Sequence, residues 1–141
     1  MTKNKIDIKI LQTIVCDEVR REDNGKFFLI GVYSDAIFMN TIPANILLSF
    51  WIQCEIQLKE KKSLEFKIEG DALQKPVTFV SEIGNEQVFG KSLTIPIILR
   101  ILLEIKSEGS FSIEYRMSGN ENWISIRHVV VKRNADIANN N

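Results

Sequence analysis

What most restricts this chain is the alternation of apolar and polar side chains with a period of two over most of its length. Successive side chains of a β-strand point to opposite faces, so this spacing belongs to strands with one buried and one wet face. The clearest stretch spans residues 46–58. Every even position there is apolar, while the odd positions carry Ser49, Gln53, Glu55 and Gln57, with Leu47 and Trp51 as apolar exceptions. Leu64, Phe66 and Ile68 continue the pattern against Glu65, Lys67 and Glu69, and the charged run from Lys59 to Lys62 between the two segments predicts a hairpin.

The same logic extends to both ends. Residues 10–19, with Ile14 and Cys16 on one face, and residues 27–33 flank Asn24-Gly25. Asn-Gly favours a type I′ hairpin, because both central positions need positive φ. Phe111, Ile113, Tyr115 and Met117 alternate with polar residues, residues 118–122 turn, and residues 123–131 return with Ile124, Ile126, His128 and Val130 on one parity. Residues 77–83 supply another strand. Residues 93–105 are ambiguous: their odd positions form an unbroken apolar row, yet Pro96, the Arg100/Glu104 spacing and Gly109 would also suit a helix. The abundance of Ile favours a bent edge strand or two short ones. The expectation is therefore an all-β, mostly antiparallel sandwich of about eight strands, resembling immunoglobulin or C2 domains. It forms one domain over residues 1–133, followed by a frayed tail at 134–141.

Composition narrows the function. In 141 residues, 18 basic and 18 acidic side chains cancel, which argues against nucleic-acid or membrane-surface binding by surplus positive charge. The alternating start after Lys5 is unlike a signal peptide, and the apolar residues 95–103 are interrupted by Pro96 and Arg100 and too short for a membrane span, so a cytoplasmic location is expected. Cys16 and Cys54, in apolar segments, read as reduced core thiols.

Catalytic material is sparse. His128 is the only histidine, and it reads as a partly buried strand residue bonded to backbone. The alternative is a small hydrolase or ligand-binding enzyme pairing His128 with a carboxylate such as Glu18 or Glu114. Gly84 to Ser92 resembles a phosphate loop, but five residues separate its glycines where four are required, and an alternating strand follows; a surface hairpin loop is the better reading. Asp23, Asp35 and Asp71 stand in separate turns and read as turn formers, not calcium ligands. No cofactor or metal is expected.

Two surface features remain. Leu47 and Trp51 fall on the outward parity of one strand and Ile98 and Leu102 on that of another. Side by side they would form an interaction surface, unless the apolar loop 34–43 folds over them. Asp17, Glu18, Arg20 and Glu22 form the densest charge cluster, a candidate polar contact site, with Asp17 and Val19 on one face and the other three opposite.

The opening is similar to a family of short bacterial proteins of unassigned function. That family shares a Cys-Asp-x-x-Arg strand, an Asn-Gly-Lys turn and a Leu-Ile-Gly-Val-Tyr strand, here Cys16-Asp17 with Arg20, Asn24-Gly25-Lys26 and Leu29-Ile30-Gly31-Val32-Tyr33. A Gly-x-aromatic step before the last hairpin, Gly109-Ser110-Phe111, belongs to the same resemblance, although Phe111 lacks the hydroxyl with which a tyrosine ties a sandwich corner. The resemblance implies a bacterial β-sandwich and no particular activity. The functional expectation is a non-enzymatic cytoplasmic binding or assembly module that engages a protein partner or forms a homodimer.

Overall fold

The computed structural model describes residues 7–134. Apart from Asn134, the expected tail lies outside them. Nine strands fold in chain order: β1 (Ile8–Arg21), β2 (Phe27–Tyr33), β3 (Ala36–Met39), β4 (Ala44–Gln57), β5 (Lys62–Glu69), β6 (Val77–Ile83), β7 (Ser92–Ile105), β8 (Gly109–Met117) and β9 (Ile124–Arg133). They form two sheets, a four-stranded one in the order β2-β1-β4-β7 and a five-stranded one in the order β3-β9-β8-β5-β6. The architecture is an all-β sandwich, antiparallel except where β3 pairs with β9 in parallel.

In β4, β5 and β8 period two placed the core correctly; in β1 the inward residues are Thr13 and Val15, with Ile14 and Cys16 on the opposite face. Leu48, Phe50, Ile52, Cys54 and Ile56 of β4 face Leu64, Phe66 and Ile68 of β5 and Phe111 and Ile113 of β8 across the interior, all buried. Leu103, Ile105, Val129, Val131 and Ile37 are among the residues that extend that interior. At roughly 1.5–3 kcal/mol for each fully buried aliphatic or aromatic side chain, this double layer is the main source of stability.

Several connections differ from the sequence expectation. β4 and β5 are not a hairpin: β4 lies between β1 and β7, and β5 between β8 and β6. Alternation reports which face of a strand is buried and is silent about which sheet it joins, so a chain crossing between layers looks like one turning within a layer. Buried Leu58 marks the crossing. Likewise residues 84–91 carry the chain from β6 in one sheet to β7 in the other, so the glycine-flanked loop is no hairpin. The β1–β2 hairpin is present, but its turn is not type I′. Gly25 alone has positive φ, at 83°, and its N–H bonds the Glu22 carbonyl, while the Asn24 side chain accepts from the Lys26 N–H. That is a type I turn closed by a left-handed glycine.

β7 is one continuous strand, paired along all its length with β4 from Ala44↔Ile105 to Gln57↔Ser92. It is an edge strand, so Pro96 removes a donor where one side of the backbone has no ladder partner. Residues 36–39 add a ninth strand that the alternation did not disclose, since four residues are too few to establish a period. It sends Ile37 and Met39 into the core against β9. The segment that was the alternative cover for the outward Leu and Trp residues is therefore engaged in the opposite sheet.

Candidate functional site

The ladder between β4 and β7 sets Leu47 opposite Leu102 and Trp51 opposite Ile98. These are the same-face partners that a shared outward parity allows, and the pairing brings all four to the outer face of the four-stranded sheet. Leu47, Ile98 and Leu102 are exposed, Leu102 by 57%. Trp51 is half-buried, and its indole Nε1–H is enclosed with no acceptor among the described residues. The next strands extend the face. Ile14 pairs with Trp51 and Cys16 with Ser49, and on β2 Val32 pairs with Cys16 and Ile30 with Glu18. Phe28, Ile30 and Val32 are exposed on this side. Sequence reading missed them because β2 is apolar on both parities, so no position on it looked out of place.

Between these apolar rows lie the small residues Cys16 and Ser49, which are buried although they belong to the outer face. Each donates to backbone of β1, Cys16 Sγ to the Glu18 carbonyl and Ser49 Oγ to that of Asp17. The β1–β4 ladder ends at this point, Cys16↔Ser49, and β1 continues beyond it paired with β2 alone. Burial raises the Cys16 thiol pKa, offset in part by the Glu18 carbonyl, and burial pushes Cys54, inside the core, up to about 11. Both cysteines are free and buried.

The charge cluster is split by the pleat. Glu18 and Arg20 pair with each other at 3.3 Å on the outer face. Asp17 lies on the other side, where it accepts a 2.5 Å hydrogen bond from the Tyr33 hydroxyl. Desolvation and that bond push the Tyr33 pKa up to about 12. Gly31, at φ 69°, leaves room for the Asp17 carboxylate: a Cβ there would stand 2.2 Å from Asp17 Oδ2. Glu22 belongs to the turn, where its backbone closes the loop with Lys26. The four residues do not converge on one site. The Cys-Asp and Gly-Val-Tyr segments meet in a local lock between β1 and β2.

His128 is exposed, not partly buried. Val129 and Val131 point inward in its place, and His128 Nδ1 lies 3.2 Å from Ser112 Oγ on the outer face of the five-stranded sheet. A bulge between Ile113 and Glu114 shifts the β8–β9 register, and the unbroken Val129-Val130-Val131 run hides the parity. Glu114 is 3.7 Å from Lys67, within a network in which Lys67 and Arg116 also stack on Trp123. Glu18 is in the other sheet. A hollow of about 500 Å³ lies at the β8–β9 turn, lined by Gly119, Asn120, Glu121, Asn122 and Ile124, with no part of it formed by His128. Among the described residues, no group of three or more His, Cys, Asp or Glu side chains could hold a metal ion. Nor is any helix among the described residues long and apolar enough to cross a membrane.

The class these features define is a two-sheet β-sandwich whose four-stranded sheet exposes Phe28, Ile30, Val32, Leu47, Ile98 and Leu102 on its outer face. The chain belongs to a family of unknown function, DUF6941, which it matches over residues 11–127. That match contains the whole β1–β2 hairpin from Leu11 onward, with its Asp17–Tyr33 lock. No curated protein matches the chain.

Proposed function

We propose that this chain is a non-enzymatic binding and assembly module of a bacterial cytoplasm, which docks a protein partner through the outer face of its four-stranded sheet. The observation that carries the reading is the cross-strand pairing of Leu47 with Leu102 and of Trp51 with Ile98 on a sheet face where Leu47, Ile98 and Leu102 stay exposed. A contiguous apolar patch costs solubility, and monomers seldom keep one larger than a few hundred Å² without a use for it. Trp is among the side chains most often found as interface anchors. The hydrolase alternative gains little support, because Glu114 is engaged by Lys67, and Glu18 is paired with Arg20 in the opposite sheet from His128.

The test is photo-crosslinking in the native host, with a photoreactive residue at position 102 or, as control, at position 80. Val80 is more exposed still, at 67%, on the outer face of the other sheet. A discrete adduct from position 102 and none from position 80 is expected. Equal or absent labelling at 102 refutes the docking role.

A further inference from the structure

We infer that the occupant of this face is a second copy of the chain, packed sheet to sheet about a two-fold axis, an inference that rests on the docking role proposed above. Area is the first argument. β1, β4 and β7 have 14 residues each and β2 has seven. At ~3.3 Å per residue and ~4.8 Å between strands, the sheet covers about 780 Å². Stable interfaces of standard size take roughly 600–1,000 Å² from each partner. One such sheet against its equal therefore meets the requirement, with no contribution from loops.

Charge is the second argument. The ladder places Lys9, Arg20 and Arg100 on this face together with Glu18, Glu55 and Glu104. Three positive and three negative groups leave the face neutral, and the chain as a whole carries a formal net charge of zero. Such a face selects neither an acidic nor a basic partner, and it does not repel its own copy.

The arrangement is also self-complementary. Apolar columns stand at both edges, Ile98 and Leu102 on β7 and Ile30 and Val32 on β2, with mixed strands β1 and β4 between. A two-fold axis running along the strands sets β7 of one copy on β2 of the other, and β4 on β1. Apolar edge then meets apolar edge, Trp51 faces Ile14 of the second copy, and Arg100 comes toward its Glu18. Such an isologous interface uses the same patch twice, so each substitution acts twice.

Sedimentation equilibrium of the purified chain at micromolar concentration tests this. The wild type is expected at twice the 16.2 kDa chain mass. Leu102→Glu places two carboxylates in the interface and is expected to weaken the dimer by ~100-fold or more. Ile30→Ser, from the opposite edge, weakens it as well, while Val80→Glu leaves it intact, and all three keep the wild-type β circular dichroism. A monomeric wild type, or a Leu102→Glu chain as dimeric as the wild type, overturns the inference. A monomeric chain whose position 102 cross-links to a different protein overturns the second copy alone and leaves the docking role standing. With neither dimer nor adduct, both fall.

Discussion

Replacing Gly31 by alanine probes the lock between β1 and β2. At φ 69° an alanine occupies the left-handed region, which costs about 1–2 kcal/mol. Its Cβ would lie 2.2 Å from Asp17 Oδ2 and 2.8 Å from Cγ, so the carboxylate must swing away and release the Tyr33 hydroxyl. A hydrogen bond to a charged group contributes ~1.5–3 kcal/mol when buried, and about 1 kcal/mol is reasonable for this exposed one. The expected total is about 2–3 kcal/mol, a substantial part of the ~5–15 kcal/mol that holds a typical domain. For a chain of this length it lowers Tm by roughly 6–15 °C. Urea and thermal unfolding followed by circular dichroism measure it in Gly31→Ala, Asp17→Ala and the double variant. If the carboxylate is what the methyl displaces, Gly31→Ala costs about 1 kcal/mol less in the Asp17→Ala background. An equal cost in both backgrounds refutes the steric account and leaves backbone strain alone.

Three further expectations follow from the burial and bonding of Tyr33, the two thiols and Phe66. Tyr33 has its pKa raised from 10 to about 12 in the folded chain, so the unfolded state loses this proton first. Its contribution is then fully present below pH 10 and is lost as pH rises through 12; Tyr33→Phe should flatten the alkaline decline in stability, and an unchanged decline would assign it to other groups. Both thiols are buried with raised pKa values, so a thiol-specific reagent at neutral pH should find neither Cys16 nor Cys54 in the native protein and both in denaturant; rapid native labelling of one would contradict the burial. Phe66→Ala, in the centre of the core, should cost ~3–5 kcal/mol, whereas Val80→Ala on the outer side of the same sheet should stay within ~0.5 kcal/mol, both read from urea midpoints.

How far the fold was legible depended on what each signal measures. Residues 46–58 and 64–69 showed their buried faces without ambiguity, because a single strand carries that information in its own sequence. Pairing is a property of two segments. The charged run 59–62 therefore looked like a hairpin turn when it is a crossing between layers, and short β3 was invisible. The proposed docking face was half legible. Leu47, Trp51, Ile98 and Leu102 broke the parity of strands otherwise polar on that side, which marked them out. Phe28, Ile30 and Val32 did not, because β2 has no polar parity to break. His128 was misplaced for a related reason. Where Val129, Val130 and Val131 run together and a bulge shifts the register, the chain offers no alternation from which to count.

The register of β4 with β7 also governs when this surface can come into being. Leu47 and Leu102 are separated by the whole of β5 and β6, which belong to the other layer, so the longest ladder among the described residues joins segments far apart in sequence. Loop closure over that separation precedes any gain from the contacts, which places this chain among slow, non-local folders. No fragment ending before Ser92 can display the paired leucines. During synthesis, the β4–β7 part of this face is withheld until most of the polypeptide has emerged.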